Sequence, residues 1–311
     1  MTGDRAVPTR IVPRDPVTAF GIGNVAVSGP ATVRAEQRVG ADLVDHRGRI
    51  DLPALAVLFD HLGGLPFIAS DPQRSPCVQA RLAISMQGHV DVGDLVTGEA
   101  ELLVRDEMFG TTRVDIVTST GRICCSGTAR NVGVGRTVSG NPGGGRGVDA
   151  PPPVGDAADQ RPMPPVIEPG LDGRAIVEQI AAGTRPAGHL TELLNGRIDT
   201  VDHPLGVGVR FTVETEPWMG NLFGTMHGGV IAAVVAQGCA LAGQANAAAG
   251  RDYQLADLAI SFLRSPAVQG TDVVVDVTPV KVGRRIASFE ATMHAHDGML
   301  LSRGAADVHY R

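Results

Sequence analysis

Two long stretches of this chain are apolar on every side of a helix. Residues 52–69 read LPALAVLFDHLGGLPFIA and residues 228–249 read GGVIAAVVAQGCALAGQANAAA. Such a pattern predicts two helices enclosed by protein on most sides, Leu52–Ala69 and Gly228–Ala249. After each helix the period changes to two. In the second half, strands are expected at Leu255–Leu263, Asp272–Val282, Ile286–His296 and Leu300–Tyr310. "DVVVDVTPVKV" and "IASFEATMHAH" show the alternation of half-buried strands, and "HDGM" and "STGR" read as hairpin turns. A short strand region precedes each helix. One helix followed by an antiparallel meander is an α+β layout. The second helix is about 33 Å long if it runs to Ala249, enough to cross a bilayer. Gln237, Gln244 and Asn246 interrupt it, and Ala and Gly dominate over Leu, so a soluble core helix is expected instead of a membrane span.

The chain also repeats itself. "RLAISM" at 81–86 answers "DLAISF" at 257–262, and aligning Leu82 with Leu258 sets an offset of 176 residues. The same offset pairs Val33-Arg34 with Val209-Arg210 and Gly48 with Gly224. One inserted residue further on makes it 177, pairing Gly93 with Gly270, Gly121 with Gly298 and Gly127 with Gly304. A register held from about residue 33 to about 132 marks a duplicated domain. Between the copies, residues 133–170 are rich in Gly and Pro and cannot build a core, so a flexible, partly extended linker is expected there. The division is 1–132, 133–170 and 171–311.

Composition narrows the partners. The 311 residues carry 27 Lys and Arg against 33 Asp and Glu, and aromatic residues make up 4%. Neither a basic surface nor stacking platforms for nucleic acid are indicated. Cys77, Cys124, Cys125 and Cys239 form no C-x-x-C pair, and the N-terminus has no apolar signal core, which together suggest reduced thiols in a cytoplasmic protein. His294 and His296 alternate on one strand with His309 on the next. No third ligand accompanies the first two, and neither metal nor a separate cofactor is expected.

The stretch "NLFGTMHGGV" carries the candidate chemistry. Gly228 and Gly229 open a helix, where unpaired N–H groups and the positive end of the helix dipole can hold a carbonyl oxygen as it becomes an anion. Glycines there also serve close packing. Asn221 offers an amide to a carbonyl or to water, or simply shapes the turn. His227 takes part in chemistry or only orders the loop. Asp60, in "PALAVLFDHLGG", is a carboxylate within an apolar helix and must find a partner or raise its pKa. His61 beside it reads as structural.

The motif N-x-x-G-x-x-H-G-G (Asn221, Gly224, His227, Gly228, Gly229), the helix after it, "AISFLRSPA" and "VKVGRRIASFEATM" resemble the hotdog fold, specifically the phenylacetyl-CoA thioesterase-like acyl-CoA thioesterases. The resemblance covers about residues 188–310, and the first half joins it through the repeat. It implies a tandem (double) hotdog, each copy an antiparallel sheet around one long helix, with one chain imitating a homodimer. In such dimers the two helices lie antiparallel, and each site takes its Asn and His-Gly-Gly turn from one copy and a carboxylate from the other. The family acid lies nine residues beyond the His. In the second copy that position is Ala236; in the first it is Asp60. The missing acid is thus expected on the opposite helix.

The other composite site, built from Asp45, Asp51-Leu52-Pro53 and Ala236, reads as abandoned. Pro53 has no N–H, and two extra carboxylates would repel an oxyanion. Gln79 stands near a position where relatives carry Ser or Thr, and it is a candidate for orienting water. Arg264, Arg284 and Arg285 are candidates for the phosphates of coenzyme A, with solvated surface arginines as the plain alternative. The expected activity is hydrolysis of an acyl-CoA to acid and free CoA at one site per chain, in a protein that can pair as a homodimer of such chains. The rivals are a non-catalytic acyl-CoA or lipid-binding protein and a hotdog enoyl-CoA hydratase.

Overall fold

The computed structural model describes residues 13–29, 31–73, 75–134 and 161–311. A short helix α1 (Pro16–Ala19) leads into strands β1 (Ile22–Gly29) and β2 (Thr32–Arg38). Helix α2 (Leu52–Ala69) follows, and then β3 (Cys77–Met86), β4 (Leu95–Arg105), β5 (Phe109–Val117) and β6 (Ile123–Gly133). The second half adds α3 (Gly173–Ala181) and α4 (His189–Leu193) before β7 (Gly196–His203) and β8 (Gly206–Glu214). Helix α5 (Gly228–Ala245) comes next, with β9 (Tyr253–Phe262), β10 (Asp272–Val282), β11 (Ile286–Ala295) and β12 (Leu300–Tyr310) after it.

All the strands form one twelve-stranded sheet in the order β1-β2-β4-β5-β6-β3-β9-β12-β11-β10-β8-β7. Each half contributes the same internal order, and the halves meet where β3 pairs antiparallel with β9. Ala83 faces Ala259, Leu82 faces Ile260 and Ile84 faces Leu258. The two copies of the repeated LAIS segment therefore lie across a local two-fold that passes between their equivalent alanines. Helix α2 lies on β2–β6 and α5 on β8–β12.

The alternation expected for the strands is present: in β10, Val273, Val275 and Val277 face the core. The hairpins repeat bond for bond. Thr118 N–H donates to Arg122 O and Ala295 N–H to Met299 O, both at 2.9 Å. Gly121 and Gly298 hold these turns at φ +79° and +82°. Every residue of α5 from Gly229 to Ala245 is buried. Both α2 and α5 are long and apolar enough to cross a membrane by composition, and both are mostly enclosed by protein.

The structure corrects the sequence reading in places. Helix α5 stops four residues early. The Asn246 side chain donates to Ala242 O and Val207 O (both 2.8 Å) and accepts from Val207 N–H (2.9 Å), which ends the helix against β8. Helices α3 and α4 were not expected. Asp172 caps α3, and Ile176, Val177 and Ile180 turn one face into the core. Residues 135–160 of the expected linker lie outside the described residues. Its last part, 161–170, runs without regular structure along the protein: Arg161 bonds Asp42 (3.0 Å) and Glu192, and Arg185 donates to Pro165 O (3.2 Å). All four cysteines carry free thiols.

The seam between β3 and β6 tolerates no side chain at Gly127, where a Cβ would lie 1.9 Å from Ala83 O at φ +158°. Gly127→Ala should cost on the order of 3 kcal/mol in urea unfolding. Gly40→Ala, whose Cβ meets nothing within 4 Å, should shift stability by no more than about 1 kcal/mol either way.

Candidate active site

The two long helices touch where α5 begins. A Cβ on Gly228 would stand 2.8 Å from Asp60 Oδ1, and one on Gly229 would stand 2.7 Å from Val57 Cα. Only glycines let the start of α5 press this closely on the middle of α2. His46, before α2, meets Gln244 near the far end of α5 at 2.8 Å, so the helices run antiparallel. Asp60 and the His227-Gly228-Gly229 turn are thereby brought together from opposite halves of the chain.

His227 is the N-cap of α5. Its Nδ1 accepts the Gly229 N–H at 3.0 Å and lies 3.2 Å from Asp60 Oδ2. Because Nδ1 already takes a proton donor, the ring of a neutral His227 carries its hydrogen on Nε2. The 3.2 Å contact is therefore not an ion pair. A neutral Asp60 can donate to Nδ1, whereas an ionised Asp60 faces a lone pair. Burial dominates both groups: it pushes the Asp60 carboxyl up to about 7, the Gly229 N–H pulling the other way by less. Burial also pushes the His227 imidazole down to about 3, reinforced by His61 and opposed by Asp15. Asp60 is 2% exposed, and its Oδ1 has no hydrogen-bond partner among the described residues. The Gly228 N–H likewise has no acceptor among the described residues, and Gly228 is only partly buried. The pair thus combines a carboxyl that ionises near neutrality with an unpaired donor at a helix start.

Asn221 is engaged by its own loop. Its Oδ1 accepts from Phe223 N–H (2.8 Å), Thr225 N–H and Thr225 Oγ1 (both 3.3 Å), and its Nδ2 donates to Met226 O at 3.4 Å. Asp45, one offset earlier, makes the same turn: Oδ1 accepts from Arg47 N–H (2.8 Å) and Arg49 N–H (3.1 Å). The oxygen at this position shapes the loop in both halves, and only the amide distinguishes Asn221. Gln79 reaches the backbone, not the carboxyl: its Nε2 donates to Asp60 O at 3.0 Å. His61 is half-buried, and burial lowers it to about 4.

The three arginines do not converge. Arg264 follows β9 at the end where Met226 N–H meets Pro266 O, and so lies at the His227 end of the molecule. Arg284 and Arg285 sit in the β10–β11 turn beside Tyr310, whose hydroxyl bonds Gly243 O at 3.0 Å. Gly243 is about 22 Å along α5 from Gly228. His309 is at that end too, facing Ile286, whereas His294 pairs with Leu300 at the other.

The opposite composite position is filled. The buried guanidinium of Arg47 bonds Asp45 Oδ2 (2.6 Å), Asp51 Oδ2 (3.1 Å) and Asp252 Oδ1 (3.0 Å) and lies 3.5 Å over the Tyr253 ring. Asp51 caps α2 and also accepts the Leu255 N–H at 3.1 Å. The two carboxylates expected to repel an oxyanion instead hold an arginine. Arg47 was overlooked in the sequence; its signal is a charged residue where the other copy has Phe223.

Residues 223–302 match the family model of the thioesterase superfamily. No curated protein matches the chain in sequence. Among solved structures, the TesB protein of Mycobacterium avium subspecies paratuberculosis shares 11% identity at a TM-score of 0.57, over 92% of this chain and 95% of its own. A hot dog fold protein from Alicyclobacillus acidocaldarius shares 11% at a TM-score of 0.56, over 95% and 97%. Acyl-CoA thioesterase II TesB2 from Mycobacterium marinum shares 13% at 0.54, over 95% and 96%. The chain has the hotdog fold, and its resemblance to hotdog thioesterases, first drawn from the motif at 221–229, holds.

Asp60 carries a stability signature that can be measured. Its carboxyl holds a proton more tightly folded (about 7) than unfolded (3.8). The group's contribution to stability is therefore full below about pH 4 and lost as pH rises through 7. Thermal unfolding of Asp60→Asn should show a gain over wild type that widens from pH 4 to 8 and then levels off. A gain independent of pH would contradict the assigned ionisation.

Proposed function

We propose that this chain is a tandem double hotdog, divided at 1–132, 133–170 and 171–311, that hydrolyses acyl-CoA thioesters at one composite site. The observation that carries the reading is Asp60 itself. A buried carboxyl with an unpartnered oxygen is costly to keep, and this one faces the start of the other half's helix. In the proposed reaction the thioester oxygen accepts the Gly228 N–H, and this bond strengthens as the oxygen becomes an anion. Ionised Asp60 takes a proton from water attacking the carbonyl carbon, or attacks that carbon itself and forms an anhydride that water then opens. Either route breaks the carbon–sulfur bond and yields a carboxylic acid and the CoA thiol. Neutral His227 holds the Gly229 N–H and keeps the turn in place. Arg264, at this end of the molecule, is proposed to contact the CoA portion of the substrate. The free thiols accord with a cytoplasmic setting.

Two measurements test the reading. Asp60→Asn should lower kcat by about 10²–10⁴-fold while the protein folds and still binds CoA; near wild-type turnover would refute the role. In wild type, kcat/KM should rise about tenfold per pH unit below 7 and flatten above it, since the base works ionised. A flat profile from pH 5 to 9 would also count against it. Acyl-CoA binding without any hydrolysis would leave the binding-protein reading in its place.

A further inference from the structure

At the far end of α5, the β10–β11 turn and the end of β12 border an open groove of about 490 Å³. Arg251, Arg284, Arg285 and Arg311 line it together with His309, and no Asp or Glu side chain does. Ile286, about half exposed, supplies an apolar patch beside the arginines. Among the described residues, the side chains of Arg251, Arg284 and Arg285 have no hydrogen-bond or ion-pair partner, and Arg311 donates only to the neutral Gln254. The nearest carboxylate in sequence, Asp252, is already engaged by Arg47 and Arg49. Four arginines around one concavity can offer an anion several donors at once, and their planar forks suit phosphate oxygens. This concentration of positive charge stands out in a chain whose net charge is −6.

We propose that this groove binds the phosphates of a nucleotide, at a site separate from the Asp60–His227 pair. Its volume suits a nucleotide, with the phosphates on the arginines and the base against Ile286. Two sources share this chemistry: a free nucleoside diphosphate and the nucleotide portion of CoA. The inference does not rest on Asp60 being catalytic, and its test needs no turnover.

Calorimetric titration with ADP, CoA and uncharged adenosine separates the cases. ADP should bind, weaken as salt rises and lose at least tenfold in affinity in Arg284→Ala/Arg285→Ala, while adenosine fails to bind measurably. Arg251→Ala, on another wall, should weaken ADP as well. Loss of CoA affinity alongside ADP identifies the nucleotide of CoA as the occupant; loss of ADP affinity alone identifies a free nucleotide. No ADP binding at millimolar concentration, or binding untouched by these exposed-residue substitutions, would overturn the proposal.

Discussion

The first turn of α5 rests directly on the backbone of α2 because Gly228 and Gly229 have no side chains. A Cβ at either would meet Asp60 or Val57 below 3 Å, and the helices would have to separate. That one close approach brings a carboxyl from the first half against a helix start from the second. It removes the carboxyl from water and sets it beside the Gly228 N–H, which has no acceptor among the described residues. Burial then does the electrostatic work, pushing Asp60 up to about 7 and keeping His227 neutral although they stand 3.2 Å apart.

The two ends of the helix pair share a loop skeleton and differ in chemistry. Asp45 and Asn221 each fold the following residues with the same side-chain oxygen, and Asp45 N–H to Arg49 O repeats as Asn221 N–H to Thr225 O. Where one loop carries Phe223 and His227, the other carries Arg47 and Asp51. The guanidinium of Arg47 gathers carboxylates from both halves, Asp45 and Asp51 from one and Asp252 from the other. A buried charge held by several partners is costly to disturb one partner at a time. That end therefore acts as a staple between the halves, and the end at Asp60 instead sets a buried carboxyl against a helix start.

Much of the architecture was legible because its patterns are local. The all-round apolar runs mark the buried helices, and period-two alternation marks β10–β12. The glycines at 121 and 298 mark hairpins that need positive φ. Asp60 became legible only through the repeat, since its partner turn lies more than 160 residues away. Helices α3 and α4 were passed over because they are short and follow a Gly/Pro-rich stretch. Their burial depends on α5 and on the loop at Ala41–Leu43, which no local period reports.

What the sequence by itself determined was the pair of buried helices, the repeat in residue spacing and the glycine start of α5, all properties of spacing and side-chain size. The tertiary structure decided the use of each polar group. Asn221 turns its oxygen into its own loop, Gln79 serves a backbone carbonyl, and Arg284 and Arg285 lie about 22 Å along α5 from the Gly228 turn. A hydrogen bond depends on a few tenths of an ångström and on direction. Those are set by the packing of two halves around a local two-fold, and residue spacing along one chain does not encode them.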